Sequence, residues 1–278
     1  MFTHQKASLL IIDPQNDFCD IPFPVSNKNK PALPVKGAFD DMSRLSQVVS
    51  LVNFQNIFVT MDTHAIYDIA HPSWWTNEKG DAPSPFTLIS FEDVQNRMWF
   101  PVDDKNFSHA LDYTLSLKKN QRYDLIIWPE HCINNTWGHK VVDVLMSSLL
   151  LWENKNNKKV DYINKGMNPN TEHYSALKAE FQIKEDSHTL LNIDLLNKLV
   201  ANEKLIIAGE ALSHCVASTV YDLLNNIDSS YYHNIYFLTD CSSPVEGFEE
   251  NGKVFVKKIK SLGINLIECR DLICVKNN

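Results

Sequence analysis

Ala208-Gly209-Glu210-Ala211-Leu212-Ser213-His214-Cys215-Val216 is the stretch on which the reading of this chain turns. The apolar run 205–208 stops at Gly209, and residues 217–224 beyond Cys215 have helical spacing. A short apolar run, a glycine and then a helical pattern predict a buried strand, a turn and a helix. A cysteine in that turn lies beside free backbone N–H groups and the positive end of a helix dipole, which favour a thiolate. The same residue equally suits a small buried hydrophobe.

The pattern repeats along the chain. Ala7-Ser8-Leu9-Leu10-Ile11-Ile12 is the kind of run that forms a strand buried on both faces. Further strands are predicted at 57–60, 160–163, 205–208, 235–238 and 264–267, and 125–127 is another short apolar run. Helical spacing occupies 39–52, 141–151, 190–200, 217–224 and 247–262. Strands alternating with helices predict an α/β fold, a doubly wound and mostly parallel sheet with helices on both faces. Residues 20–37 and 153–159 read as exposed loops. Residues 72–122 read as an insertion, an ordered loop or lid in which Trp74, Trp75, Phe86, Trp99 and Phe100 anchor a Pro- and Asp-rich segment. No repeat or true linker interrupts the chain, so residues 1–278 are expected to form one domain.

Composition narrows the function. The chain has 278 residues, 44% of them hydrophobic, and a net charge of -8 without a basic stripe. Nucleic-acid binding is therefore disfavoured. No GxGxxG or Walker pattern follows the first strand, which disfavours nucleotide binding. Six cysteines, at 19, 132, 215, 241, 269 and 274, show no CxxC spacing, and Cys269 and Cys274 read as reduced thiols. The apolar run after Met1–Lys6 is too short for a signal peptide or a membrane span. A soluble protein of a reducing, cytoplasmic compartment is expected.

Chemistry-bearing residues gather where the predicted strands end. Asp13, in Asp13-Pro14-Gln15-Asn16-Asp17-Phe18, follows the first strand, where α/β sheets bind ligands; the segment also reads as a plain turn. Asp62 and His64 in Met61-Asp62-Thr63-His64 share one side of a strand end and can converge on a cation. His131 in Trp128-Pro129-Glu130-His131-Cys132 can join them, or can be a loop histidine bonded to backbone. One carboxylate and two imidazoles suit Zn, Fe or Mn. Lys165, at another strand end before Gly166, is either a surface charge or an ammonium that keeps a neighbouring carboxylate ionised.

These motifs, taken in order, resemble the nicotinamidase branch of the isochorismatase-like cysteine hydrolases. The resemblance rests on Asp13 in IIDPQNDF, Asp62 and His64 in MDTH, His131 in WPEHC, Lys165 in KGMNPNTEHYSA and Cys215 in GEALSHCV. It spans residue 7 to about residue 245. Residues 72–122 lengthen the chain relative to a typical member, and Ser213 stands where the family often has an acid.

The resemblance implies an amidohydrolase, nicotinamide plus water giving nicotinate and ammonia through a thioester, with a place in pyridine-nucleotide salvage. It implies Asp13, Lys165 and Cys215 as the catalytic triad. The backbone N–H groups of Ala211 and Cys215 would form the oxyanion hole, beside a cis peptide at Glu210-Ala211. It implies a divalent metal, zinc before iron or manganese, on Asp62, His64 and His131, with His71 a further candidate, and a ring pocket walled by Phe18, Trp128 and Tyr174. A homo-oligomer is implied as well. Two alternatives stay open: an amidase or ureidohydrolase for another small amide, and a non-catalytic metal-stabilised binding protein of the same fold.

Overall fold

The computed structural model describes residues 6–23, 25, 29–121 and 123–273. Residues 1–5 and Cys274 lie outside them. Six parallel strands form the central sheet: β1 (Ala7–Ile12), β2 (Asn56–Asp62), β3 (Asp161–Lys165), β4 (Lys204–Gly209), β5 (Ile235–Leu238) and β6 (Asn265–Ile267). Their order across the sheet is β6-β5-β4-β1-β2-β3. The chain builds outward from β1 in one direction, returns to the other side of β1 as β4, and builds outward again. This is the doubly wound arrangement expected from the sequence. Right-handed crossovers then place the two sets of connecting helices on opposite faces.

Every residue of β1 is buried, as an all-apolar central strand requires. Each fully buried Leu or Ile there contributes roughly 1.5–3 kcal/mol of transfer free energy. The helices that cover the sheet are α1 (Ala38–Leu51), α3 (Asp143–Asn156), α4 (Ile193–Val200), α5 (Ala217–Asn225) and α6 (Glu249–Ser261). In α1, Ala38, Met42, Leu45, Val48 and Val49 recur at three- and four-residue spacing, and all are buried. α3 runs on to Asn156, into the stretch read as a loop, because nothing in 153–156 breaks a helix. α4 begins at Ile193, where the Asn192 side chain accepts the Leu195 N–H at 3.0 Å and caps it.

The segment 72–122, expected to be an inserted loop or lid, holds more than a loop. It contains α2 (Phe107–Asn120) and a hydrophobic cluster of its own, in which Trp74, Trp75, Val94, Ala110, Tyr113 and Leu117 pack with Leu125 and Ile127. The apolar run at 125–127 accordingly leaves the central sheet. Leu125–Ile126 pairs antiparallel with Leu88–Ile89 of the insertion. Among the described residues no helix is long and apolar enough to cross a membrane.

Candidate active site

Strand register assembles the site. Asp62 pairs with Lys165 at the carboxyl ends of β2 and β3, and Ile12 pairs with Gly209 at those of β1 and β4. Asp13 therefore follows directly on the one strand that lies between β2 and β4. Gly209 has to be glycine: a Cβ there would stand 2.1 Å from the Ile12 carbonyl oxygen, and its φ is 122°. Beyond it the Glu210-Ala211 peptide is cis, as the resemblance implies. One turn of π-helix, Leu212–Val216, then delivers Cys215 to the crevice.

Asp13, Lys165 and Cys215 meet. The Lys165 Nζ lies 2.9 Å from Asp13 Oδ2, 2.9 Å from Asp62 Oδ1 and 3.5 Å from Cys215 Sγ. The Asp13, Asp62 and Cys215 donor atoms lie within 4.8 Å of one another. All four side chains are buried. Thr60 holds Asp13 from below: its hydroxyl donates to Oδ1 at 2.5 Å and accepts the Asp13 N–H at 3.0 Å. Asp13 Oδ2 faces the Lys165 ammonium as an ion pair.

Burial lowers the Lys165 pKa, but Asp13 and Asp62 outweigh it and hold the ammonium well above its ordinary value. Burial raises Asp13 against the pull of Lys165, and the net shift is upward. Burial also pushes the Cys215 thiol well above its ordinary range; Lys165 pulls it down, while Asp13 and Asp62 push it up. The expectation that the turn and helix dipole favour a thiolate is thus corrected. Two neighbouring carboxyls and full burial favour the thiol until its proton has somewhere to go.

The histidines converge beside this triad. Donor atoms of His64, His71 and His131 lie within 4.8 Å of one another, and Asp62 Oδ2 lies 3.1 Å from His64 Nε2 and 3.5 Å from His131 Nε2. The structure therefore brings together all three expected metal ligands and the further candidate, His71. Burial, with His131 and His64 beside it, pushes His71 down to about 2, so it stays neutral. Its Nδ1 lies 3.2 Å from the Ala65 carbonyl, and its Nε2 lies 3.3 Å from His131 Nδ1, inside the cluster. His64 Nε2 faces Asp62 Oδ2, while its Nδ1 lies 3.0 Å from Asp68 Oδ2. An imidazole oriented by one carboxylate, with its other nitrogen turned toward a second carboxylate and two further histidines, fits a divalent metal. Gly166 leaves room for this cluster, since a Cβ there would meet Asp62 Oδ1 at 2.9 Å.

No family model matches the chain. The nicotinamidase of Saccharomyces cerevisiae is 23% identical over 271 residues, 94% of this chain and 99% of that protein. A solved structure of the yeast nicotinamidase, bound to the inhibitor nicotinaldehyde, superposes with a TM-score of 0.62 at 19% identity, over 94% of this chain and 99% of that one. The Acinetobacter baumanii nicotinamidase/pyrazinamidase gives 0.62 at 19% identity, over 96% and 98%. The Pyrococcus horikoshii pyrazinamidase, solved in complex with zinc, gives 0.53 at 18%, over 95% and 99%. The fold is that of the isochorismatase-like hydrolases. The chain resembles their nicotinamidase branch.

The three expected pocket residues stand on two sides. Phe18 packs edge-on against His131, with ring centroids 5.4 Å apart. Trp128 and Tyr174 lie on the Cys215 side, joined by a 3.0 Å bond from the indole N–H to the tyrosine hydroxyl. Both pack against His214, which also stacks on Tyr123 and meets Phe248. Phe86 of the insertion reaches Trp128.

Several members of the site escaped the sequence reading. Thr60 and Asp68 sit inside or beside quoted motifs, at strand-end spacing that could have found them. Gln15 brackets the Asp62 backbone from both sides, accepting its N–H at 2.7 Å and donating to its C=O at 2.8 Å. His214, Tyr123 and Phe248 come together only in three dimensions. Ser213, in the place of the usual acid, accepts the Val245 N–H at 3.1 Å and lies 2.9 Å from His214 Nδ1.

Proposed function

We propose that this chain is a metal-containing nicotinamidase that converts nicotinamide and water to nicotinate and ammonia. One observation carries the reading: a single buried ammonium, Lys165, bridges an acid able to take a proton and a sulfur able to attack. The names of the relatives support the amide and its pyridine ring. Asp13 Oδ2 accepts the Cys215 thiol proton, and the thiolate, steadied by Lys165, attacks the amide carbon. The backbone N–H groups of Ala211 and Cys215 receive the developing oxyanion; one such donor contributes about 3 kcal/mol in other enzymes. Asp13 then protonates the leaving ammonia and afterwards draws a proton from the water that cleaves the thioester. Its raised pKa suits both roles.

Asp62, His64, His71 and His131 would hold the divalent metal, zinc being the first choice, which supplies a Lewis-acid site for orienting the ring nitrogen. Phe18, Trp128 and Tyr174 would form the flat apolar walls around the ring. We read the whole chain as one domain with residues 72–122 inserted, acting in the cytoplasm as a homo-oligomer. Ammonia release from a panel of small amides tests the proposal. Nicotinamide should be the fastest substrate, and Cys215→Ala should lose activity by at least ~10³-fold while keeping its circular dichroism. Full activity in that variant would remove Cys215 as the nucleophile.

A further inference from the structure

Two thiols outside the site meet beyond the carboxyl ends of β5 and β6. Cys241 follows β5, and Cys269 opens the short helix Cys269–Ile273 after β6. Their Sγ atoms lie 3.0 Å apart. Non-bonded heavy atoms settle at roughly 3.5–4.0 Å, and a disulfide bond measures about 2.05 Å. Among the described residues no other two cysteine sulfurs come within hydrogen-bonding distance of each other.

The surrounding backbone is already fixed for closure. Leu238 and Ile267 are register partners, so the two thiols leave neighbouring parallel strands in step. The Thr239 N–H donates to the Ile267 carbonyl at 2.9 Å. Both oxygens of Asp240 accept the Cys269 N–H, at 3.0 and 3.1 Å. These three residues could also be set around a cation. The carboxylate, however, is already occupied by that backbone donor, and the sulfurs stand close to bonding distance.

We propose that Cys241 and Cys269 form a reversible disulfide site whose oxidant is a low-molecular-weight disulfide. Cys269 is 6% exposed and Cys241 fully buried, so Cys269 meets the oxidant first. Its sulfur attacks one sulfur of the small disulfide and releases one small thiol. Cys241 then attacks the Cys269 sulfur and releases the second. The protein loses two protons and two electrons, which reduce the small disulfide to the two small thiols.

The bond would be felt at the active turn. Cys241 opens a loop that makes four hydrogen bonds to it: from Gly209 N–H to Cys241 C=O, from Ser243 N–H to Glu210 Oε2, from Leu212 N–H to Ser243 C=O, and from Val245 N–H to Ser213 Oγ. Closing Cys241 onto Cys269 anchors one end of the loop that braces the Cys215 turn.

The test uses the full chain with Cys215→Ala, incubated with oxidised glutathione, unfolded, alkylated and weighed. The expected result is two fewer alkylated thiols and a peptide joining residues 241 and 269, both reversed by dithiothreitol. The Tm should rise by roughly 5 °C on oxidation. Adding Cys241→Ser or, separately, Cys269→Ser should abolish the cross-link and the Tm rise. Two freely alkylated thiols at 241 and 269, a cross-link to a different cysteine, or glutathione retained on Cys269 would each overturn the proposal. So would a bound metal that Cys241→Ser releases.

Discussion

Two pairs of buried carboxyls flank the Cys215 turn, and they end in different states. Asp13 and Asp62 lie on either side of the enclosed Lys165 ammonium. Asp41 and Glu210 share Ser243, whose hydroxyl donates to Asp41 Oδ2 at 2.6 Å and whose N–H donates to Glu210 Oε2 at 3.0 Å. Among the described residues the cation that meets this pair is the more exposed Arg44, which contacts Asp41 and also donates to the Asp240 carbonyl. In the first pair the titrations are driven apart: burial raises both groups, but His64 and Lys165 take Asp62 well below its ordinary value while Asp13 stays raised. In the second pair both rise, burial first and mutual repulsion adding to Glu210. Desolvation acts on both pairs alike. The His64 imidazole and the enclosed ammonium drive the first pair apart, and the second pair has no enclosed cation among the described residues.

The sharpest way to break this contrast is Lys165→Met. Without the ammonium the first pair should behave as the second does, taking up a proton and losing the thiolate's partner. Ammonia release should fall at least ~10³-fold, and urea unfolding should show a loss of about 3–5 kcal/mol, as for a buried pair with one partner removed. Retained activity would mean that Lys165 does not organise the charge. A smaller effect is expected at His64, which faces Asp62 from the other side. His64→Ala should lower metal affinity by 10- to 100-fold or more, read as metal per chain after dialysis, with Lys165 still holding Asp13 in place.

The mildest perturbation lies in the second pair. The Glu210 carboxyl titrates well above its unfolded value near 4.5. The stability it contributes is complete below that value and is lost as pH rises through the folded one. Asp41 and Asp20 add negative charge around it, Cys19 stays a buried thiol, and Arg44 offsets part of the charge from the rim. Glu210→Gln should therefore change stability at pH 5 by no more than about 1 kcal/mol and flatten its decline toward pH 9. A slope identical to that of the unaltered protein would mean that Glu210 is ionised throughout.

Much of this was legible because parallel sheets put their chemistry at strand ends. Asp13, Asp62, Lys165 and Cys215 each stand at or beyond the end of a predicted strand, and β1 and β5 have the boundaries the sequence predicts. What stayed hidden depends on partners distant along the chain. The run at 125–127 looks like any other strand, and only the insertion at 88–89 draws it out of the sheet. The helical spacing of Phe107, Ala110, Tyr113 and Leu117 was available, but the surrounding Pro and Asp masked it. The state of the Cys215 thiol could not be read locally, since it follows from burial and from carboxyls on β1 and β2.

The pairing of β1 with β4 also bears on how the protein is made. Until residues 204–209 emerge from the ribosome, β1 has one edge of unpaired N–H and C=O groups beside a wholly apolar strand. A chain halted before that point carries Asp13, Asp62, His64 and Lys165 but lacks Cys215. Such a fragment is prone to aggregate, so the last central strand closes the open edge and brings in the buried thiol together.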